Sequence, residues 1–79
     1  MVDPDEVHTR IAAALPGARV TVADSTGAGD HFEVHVIAAA FAGKSLLEQH
    51  RMIYGALGDL MSRIHALALR TEPAGEGAA

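Results

Sequence analysis

The sequence predicts an α+β fold: a three-stranded mixed sheet with its helices packed on one face, in the order α-β-β-α-α-β. Three observations predict it. Residues 18–23 and 31–38 alternate apolar and polar with a period of two, and only the polar, glycine-bearing loop Asp24 to Asp30 separates them, so they form an antiparallel hairpin. The stretches on either side of the hairpin carry apolar residues at helical spacing. A last apolar run, residues 64–70, has the length of a strand. With 79 residues the chain is one domain, and one layer of helices over the sheet is the economical packing. The expected boundaries are 1–72 for the domain and 73–79 for a flexible C-terminal tail.

The elements follow in order. Asp3-Pro4-Asp5-Glu6 starts the first helix, with Asp3 as N-cap, Pro4 at the first helical position and Glu6 closing a capping box. Val7, Ile11, Ala14 and Leu15 mark its buried stripe, and Pro16-Gly17 stops it. In the first strand Val20 and Val22 share one face, Arg19 and Thr21 the other. Asp24 to Asp30 reads as a flexible hairpin loop. In the second strand Phe32, Val34 and Val36 point inward, while His31, Glu33 and His35 point the other way. Ala39 to Gly43 turns the chain into a helical stretch from Lys44 to Met61. Its wide apolar face comprises Leu46, Leu47, His50, Ile53, Tyr54, Leu57, Leu60 and Met61. Gly55 and Gly58 each weaken that helix by up to about 1 kcal/mol relative to alanine, so a break into two helices is expected near them. The run Ile64-His65-Ala66-Leu67-Ala68-Leu69-Arg70 suits a strand covered on both sides, or one with a small-residue face. Thr71 to Ala79 is expected to fray.

A domain this small buries only about 60% of the surface its unfolded chain exposes, so each large apolar residue matters. A composition of 49% hydrophobic and 20% charged residues is that of a globular protein. No uncharged apolar run is long enough for a membrane span, and the acidic start has no apolar signal core, so the expected location is cytoplasmic. There are no cysteines. Apolar packing must therefore hold the fold, and the chain has no thiolate for a metal or for nucleophilic chemistry. The formal net charge of −4 argues against non-specific nucleic-acid binding, although it leaves room for a local basic patch.

Few motifs carry chemistry. His31 and His35 spell H-x-x-x-H, but four strand residues span about 13 Å, too far for one zinc ion. Thr26-Gly27-Ala28-Gly29-Asp30 opens no helix and lacks the lysine of a phosphate loop. Gly55-Ala56-Leu57-Gly58 has the letters of a G-x-x-G nucleic-acid clamp but an apolar centre, and reads as packing. Lys44 at a helix start opposes the macrodipole. With His50 and Arg51 it is either an ordinary solvated face or a surface for a ligand or partner. His65, inside an apolar run, is either a hydrogen-bonded core or edge residue or a metal ligand; as a ligand its imidazole would suit iron or zinc and release it below about pH 6.5. No serine–histidine–acid or paired-carboxylate arrangement supports an enzyme.

Four stretches together resemble the BolA family, in its short-loop, IbaG-like type. They are Asp30-His31-Phe32-Glu33-Val34-His35-Val36, Phe41-Ala42-Gly43-Lys44-Ser45-Leu46, His50-Arg51-Met52-Ile53-Tyr54-Gly55-Ala56-Leu57 and Ile64-His65-Ala66-Leu67. The resemblance covers most of residues 20–71 and implies a class II KH-like fold. It implies partnership with CGFS-type monothiol glutaredoxins through a bridging [2Fe–2S] cluster, which takes thiolates from glutaredoxin and glutathione and nitrogen from this chain. No cluster is expected in the isolated chain. His65 matches the family's C-terminal cluster histidine. The second ligand, by the same resemblance, comes from the loop between the first two strands; Thr26 to Asp30 offers neither Cys nor His, and His31 is the nearest substitute. Phe41, Gly43, Lys44, Ser45, His50 and Arg51 form the implied partner or nucleic-acid surface. The rival expectation is a DNA-binding transcriptional regulator that reads with Lys44 to Arg51, and a third is an adaptor that binds glutaredoxin without a cluster.

Overall fold

A computed structural model describes residues 1–74. The chain runs α1 (Pro4–Ala14), β1 (Arg19–Asp24), β2 (His31–Ala38), a 3-10 turn (Ala39–Phe41), α2 (Leu46–Leu57), a 3-10 segment (Gly58–Arg63) and β3 (Ala66–Pro73). The sheet order is β1-β2-β3, with β2 central. β1 and β2 are antiparallel, with Val22 opposite Val34. β2 and β3 are parallel, with His31 opposite Ala66 and Val36 opposite Thr71. A parallel pair needs a crossover, and α2 with its 3-10 extension provides it. No helix among the described residues is long and apolar enough to cross a membrane.

α1 begins as predicted at Asp3, whose side chain accepts the Asp5 N–H at 2.9 Å. Glu6 closes no capping box; its carboxylate reaches forward to Arg10 at 3.6 Å. Arg10 in turn donates to the Leu57 carbonyl at 3.1 Å and to the Asp59 carboxylate at 3.0 Å, which ties α1 to the end of α2. Val2 and Val7 occupy the two positions of a hydrophobic staple, and both are buried in the core. Sequence reasoning overlooked Val2, although its spacing from Val7 was the available signal.

α2 starts at Leu46, two residues later than predicted. Ser45 Oγ accepts the Glu48 N–H at 3.1 Å, and Glu48 Oε1 accepts the Ser45 N–H at 2.8 Å. This reciprocal cap fixes the boundary and leaves Lys44 outside the helix. The expected break falls at Gly58, whose φ of +54° ends the helix. The apolar face is narrower than predicted. Gln49, Ile53 and Leu57 take the inward stripe, and Leu60 continues it. Tyr54, turned about 100° from Ile53, is 41% exposed, and Leu46 and Leu47 are 61% and 58% exposed.

The core joins Phe32, Val34 and Val36 of β2 to Val7, Ile11, Phe41, Ile53, Leu57 and Leu60. β3 runs from Ala66 to Pro73, not from residue 64 to 70. Leu67 and Leu69 pack against the core, whereas Ala66, Ala68 and Arg70 are exposed. β3 is thus the strand with a small-residue face, covered on one side only. Thr71 does not fray: it is buried, and its hydroxyl donates to Gln49 Oε1 at 2.7 Å. Gln49 Nε2 donates to the Lys44 carbonyl at 3.0 Å. The expected boundary at residue 72 therefore cuts through β3; of the expected tail, residues 75–79 lie outside the described residues.

Candidate functional site

The loop between β1 and β2 builds the site. The Asp24 carboxylate accepts the N–H groups of Gly27 and Gly29, each at 2.9 Å. Ser25 donates its N–H at 2.9 Å and its hydroxyl at 3.1 Å to the His31 carbonyl. Gly29 has φ +76°, and its carbonyl accepts the Val2 N–H at 2.8 Å. A side chain there would press on the Val2 backbone, with Cβ 3.0 Å from Val2 O. The predicted flexible loop is therefore a hydrogen-bonded turn braced against the N-terminal segment.

This turn delivers Asp30 and His31 to the start of β2. Asp30 Oδ1 lies 2.8 Å from His31 Nδ1. The Asp30 carbonyl accepts the His65 N–H at 2.7 Å and the Ala66 N–H at 3.0 Å. Parallel pairing of β2 and β3 thus brings two distant histidines side by side, with ring centroids 4.9 Å apart and planes tilted by 55°. His31 is half-buried. His65 is exposed and sits just before β3, not within it. It is therefore not a core histidine: the 3-10 segment ends at Arg63, Ile64 turns inward, and His65 is left at the surface.

The hydrogen bond from His31 holds the Asp30 carboxyl below the usual aspartate range; partial desolvation opposes it, and the charges of His31 and His65 and a bond from Thr26 assist. Asp30 is therefore an ionised acceptor near neutral pH. Neutral imidazoles are good ligands for iron and zinc. Among the described residues no group of three or more His, Cys, Asp or Glu side chains converges to hold a metal ion. The pair can supply part of a coordination sphere, and with no cysteine in the chain any thiolates must come from another molecule.

The other predicted residues fall elsewhere. His35 is not joined to His31: its Nε2 lies 2.7 Å from Glu72 Oε2, and Arg70 approaches the same carboxylate at 3.6 Å. His35 and Arg70 border a shallow cavity of about 330 Å³ on the helix-free sheet face, with Thr21, Glu33 and Ala68. Gly43, Lys44, Ser45 and Arg51 are exposed around the start of α2. Phe41 is not part of that surface. The 3-10 turn carries its ring into the core, where it is fully buried. His50 is half-buried, edge-on to Tyr54 at 6.4 Å, and its Nε2 has no hydrogen-bond partner among the described residues. The exposed Leu46, Leu47 and Tyr54, assigned inward from periodicity, belong to this outer surface instead. Of the loop residues, Asp30 is the one that sequence reasoning passed over. An acid directly before a histidine at a strand start was the signal.

The family model for BolA-like protein matches residues 6–76. Protein BOLA2 of Arabidopsis thaliana is 41% identical over 71 residues, covering 89% of this chain and 76% of that protein. The DNA-binding transcriptional regulator BolA of Escherichia coli is 32% identical over 79 residues, covering 90% of this chain and 75% of the regulator. Among solved structures, a bol-like protein from Babesia bovis matches with a TM-score of 0.86 at 28% identity, covering 99% of this chain and 92% of that one.

Proposed function

The chain belongs to the BolA-like protein family, and from that premise we propose that it is a non-enzymatic, cytoplasmic partner of a monothiol CGFS-type glutaredoxin. In this reading His65 and His31 supply imidazole ligation to a [2Fe–2S] cluster bridging the two proteins. Glutaredoxin and glutathione supply the thiolates. The cluster is cargo, handed on to an acceptor or used to sense iron. The observation that carries the reading is the 4.9 Å separation of the His31 and His65 rings at one end of the sheet. The absence of cysteine makes a thiolate-bearing partner a chemical necessity for such a cluster. Replacing thiolate by imidazole raises the cluster potential, so a shared cluster would differ in its redox properties from the cluster on glutaredoxin alone. The exposed Lys44, Ser45 and Arg51, with Leu46 and Leu47, lie around the start of α2, toward the end of the sheet away from the histidine pair, and serve in this proposal as a second contact surface beside the cluster end.

The test is to mix the protein with cluster-loaded monothiol glutaredoxin and glutathione and follow visible circular dichroism, beside His65→Ala. A changed spectrum that requires His65 is expected. An unchanged spectrum with a working glutaredoxin would reject the reading.

A second reading is DNA binding, the role named for the Escherichia coli relative. It would use the exposed Lys44 and Arg51, and a net charge of −4 opposes it. It requires a log–log salt slope of about −0.9 for each phosphate neutralised. A cluster-free adaptor differs from both in surviving loss of His31 and His65.

A further inference from the structure

We propose that Asp30 is a positioning residue for the histidine pair: its carboxylate keeps the His31 proton on Nδ1, so that Nε2 is the nitrogen His31 presents to a metal. The inference rests on the cluster-ligand reading and adds to it a residue and a ligating atom.

A neutral imidazole carries one proton, and the hydrogen bond at one nitrogen decides which nitrogen keeps a lone pair. An ionised carboxylate only accepts, so at 2.8 Å from Asp30 Oδ1 the Nδ1 of His31 must donate. Metal-ligating histidines commonly have their second nitrogen held in this way, which fixes ring orientation and raises basicity. The carboxylate is itself held in place. The Asp30 carbonyl accepts two amides at the start of β3, and Thr26 Oγ1 lies 3.5 Å from Oδ1. The neighbouring Gly29 is braced by Asp24 and Val2.

One residue thus holds both histidines by different means. Its side chain orients the His31 ring, and its main chain anchors the His65 backbone. The His65 ring has no hydrogen-bonded partner among the described residues. The two imidazoles are therefore inequivalent: His31 is oriented in advance, and His65 is free to adjust to what arrives.

The experiment reads the tautomer first. Long-range proton–nitrogen NMR on the isolated chain at about pH 8.5, well above the ordinary imidazole pKa of about 6.5, reports which His31 nitrogen bears the proton. The wild type is expected to show Nδ1–H. Asp30→Ala should admit the Nε2–H form, whereas Asp30→Asn, whose amide oxygen still accepts, should retain Nδ1–H. A purely structural role for Asp30 would leave the tautomer unmoved. The second arm titrates each variant into cluster-loaded glutaredoxin with glutathione by visible circular dichroism. Asp30→Ala should weaken the heterodimer about 10- to 100-fold, with Asp30→Asn recovering most of the loss. An unchanged tautomer in Asp30→Ala overturns the proposal, and so does a changed tautomer with unaltered heterodimer affinity. If Asp30→Ala does not fold, equal tautomers or affinities in Asp30→Ser and Asp30→Asn overturn it instead. Failure of the wild type to form any heterodimer overturns the cluster reading itself, and the partner-free tautomer arm separates that failure from an error about Asp30.

Discussion

Thr71→Val removes one hydroxyl and almost nothing else. Thr71 and Gln49 are 8% and 7% exposed, and their side chains meet at 2.7 Å. Valine has nearly the same shape and suits a strand at least as well as threonine. The substitution leaves Gln49 Oε1 buried without its donor, which costs about 1–3 kcal/mol. The new methyl group offsets at most about 0.8 kcal/mol by apolar burial. The net loss is about 1 kcal/mol, and for a domain of this size that lowers Tm by about 4–8 °C. Differential scanning calorimetry on the wild type, Thr71→Val, Gln49→Leu and the double variant measures it. The double variant should recover part of the loss, because it removes the buried Gln49 acceptor together with its donor; the Lys44 carbonyl, which loses the Gln49 Nε2 bond, keeps the recovery incomplete. A Thr71→Val variant as stable as the wild type would refute the reasoning, since the hydroxyl would then contribute nothing and the end of β3 would be as loose as its composition suggests.

Phe41→Ala separates core from surface: burial of the whole ring predicts a loss of about 3–5 kcal/mol in denaturant unfolding, whereas a docking residue would leave stability unchanged and weaken only partner binding. Acid should destabilise the fold. Asp59 is held below the usual aspartate range by Arg10, and Glu48 below the usual glutamate range by its bonds to Ser45. A carboxyl whose folded pKa is depressed contributes stability that is present above its unfolded value and lost as pH falls through the folded one. Tm measured from about pH 6 to about pH 2 should therefore fall, and less steeply in Asp59→Asn; parallel curves would contradict that role for the Arg10 pair.

The hairpin was legible because a period-two alternation leaves little freedom. β2 spans the predicted residues, and β1 is shifted by one. The helices were legible as elements but not at their edges. Ser45 was read as lying inside α2 because the apolar pattern begins nearby, whereas its reciprocal bonds with Glu48 put it at the cap. Leu46, Leu47 and Tyr54 show the limit of periodicity. It identifies apolar positions but not which of them a neighbour covers, and α1 and the sheet cover only one stripe of α2. His65 looked like part of a strand because an apolar run does not reveal where the backbone turns. Its proximity to His31 depends on the parallel register of β2 and β3, a long-range fact that local spacing cannot carry; the family resemblance supplied both residue names but not their contact. Asp30 was missed because its role is divided between side chain and main chain, and main-chain roles leave no mark on residue identity.

The parallel register also sets when the histidine pair comes into being. A hairpin can zip from its turn, but β3 reaches β2 only after α2 and the 3-10 segment have carried the chain back along the sheet. The entropy of closing that long excursion is lost before any of its contacts form, which makes this docking a slow class of folding event. During synthesis His31 emerges with the hairpin, well ahead of the residue it must meet. A nascent or truncated chain that ends before β3 can hold both histidines without the strand pairing that sets their rings side by side, so the paired geometry is itself a report that the last strand has docked.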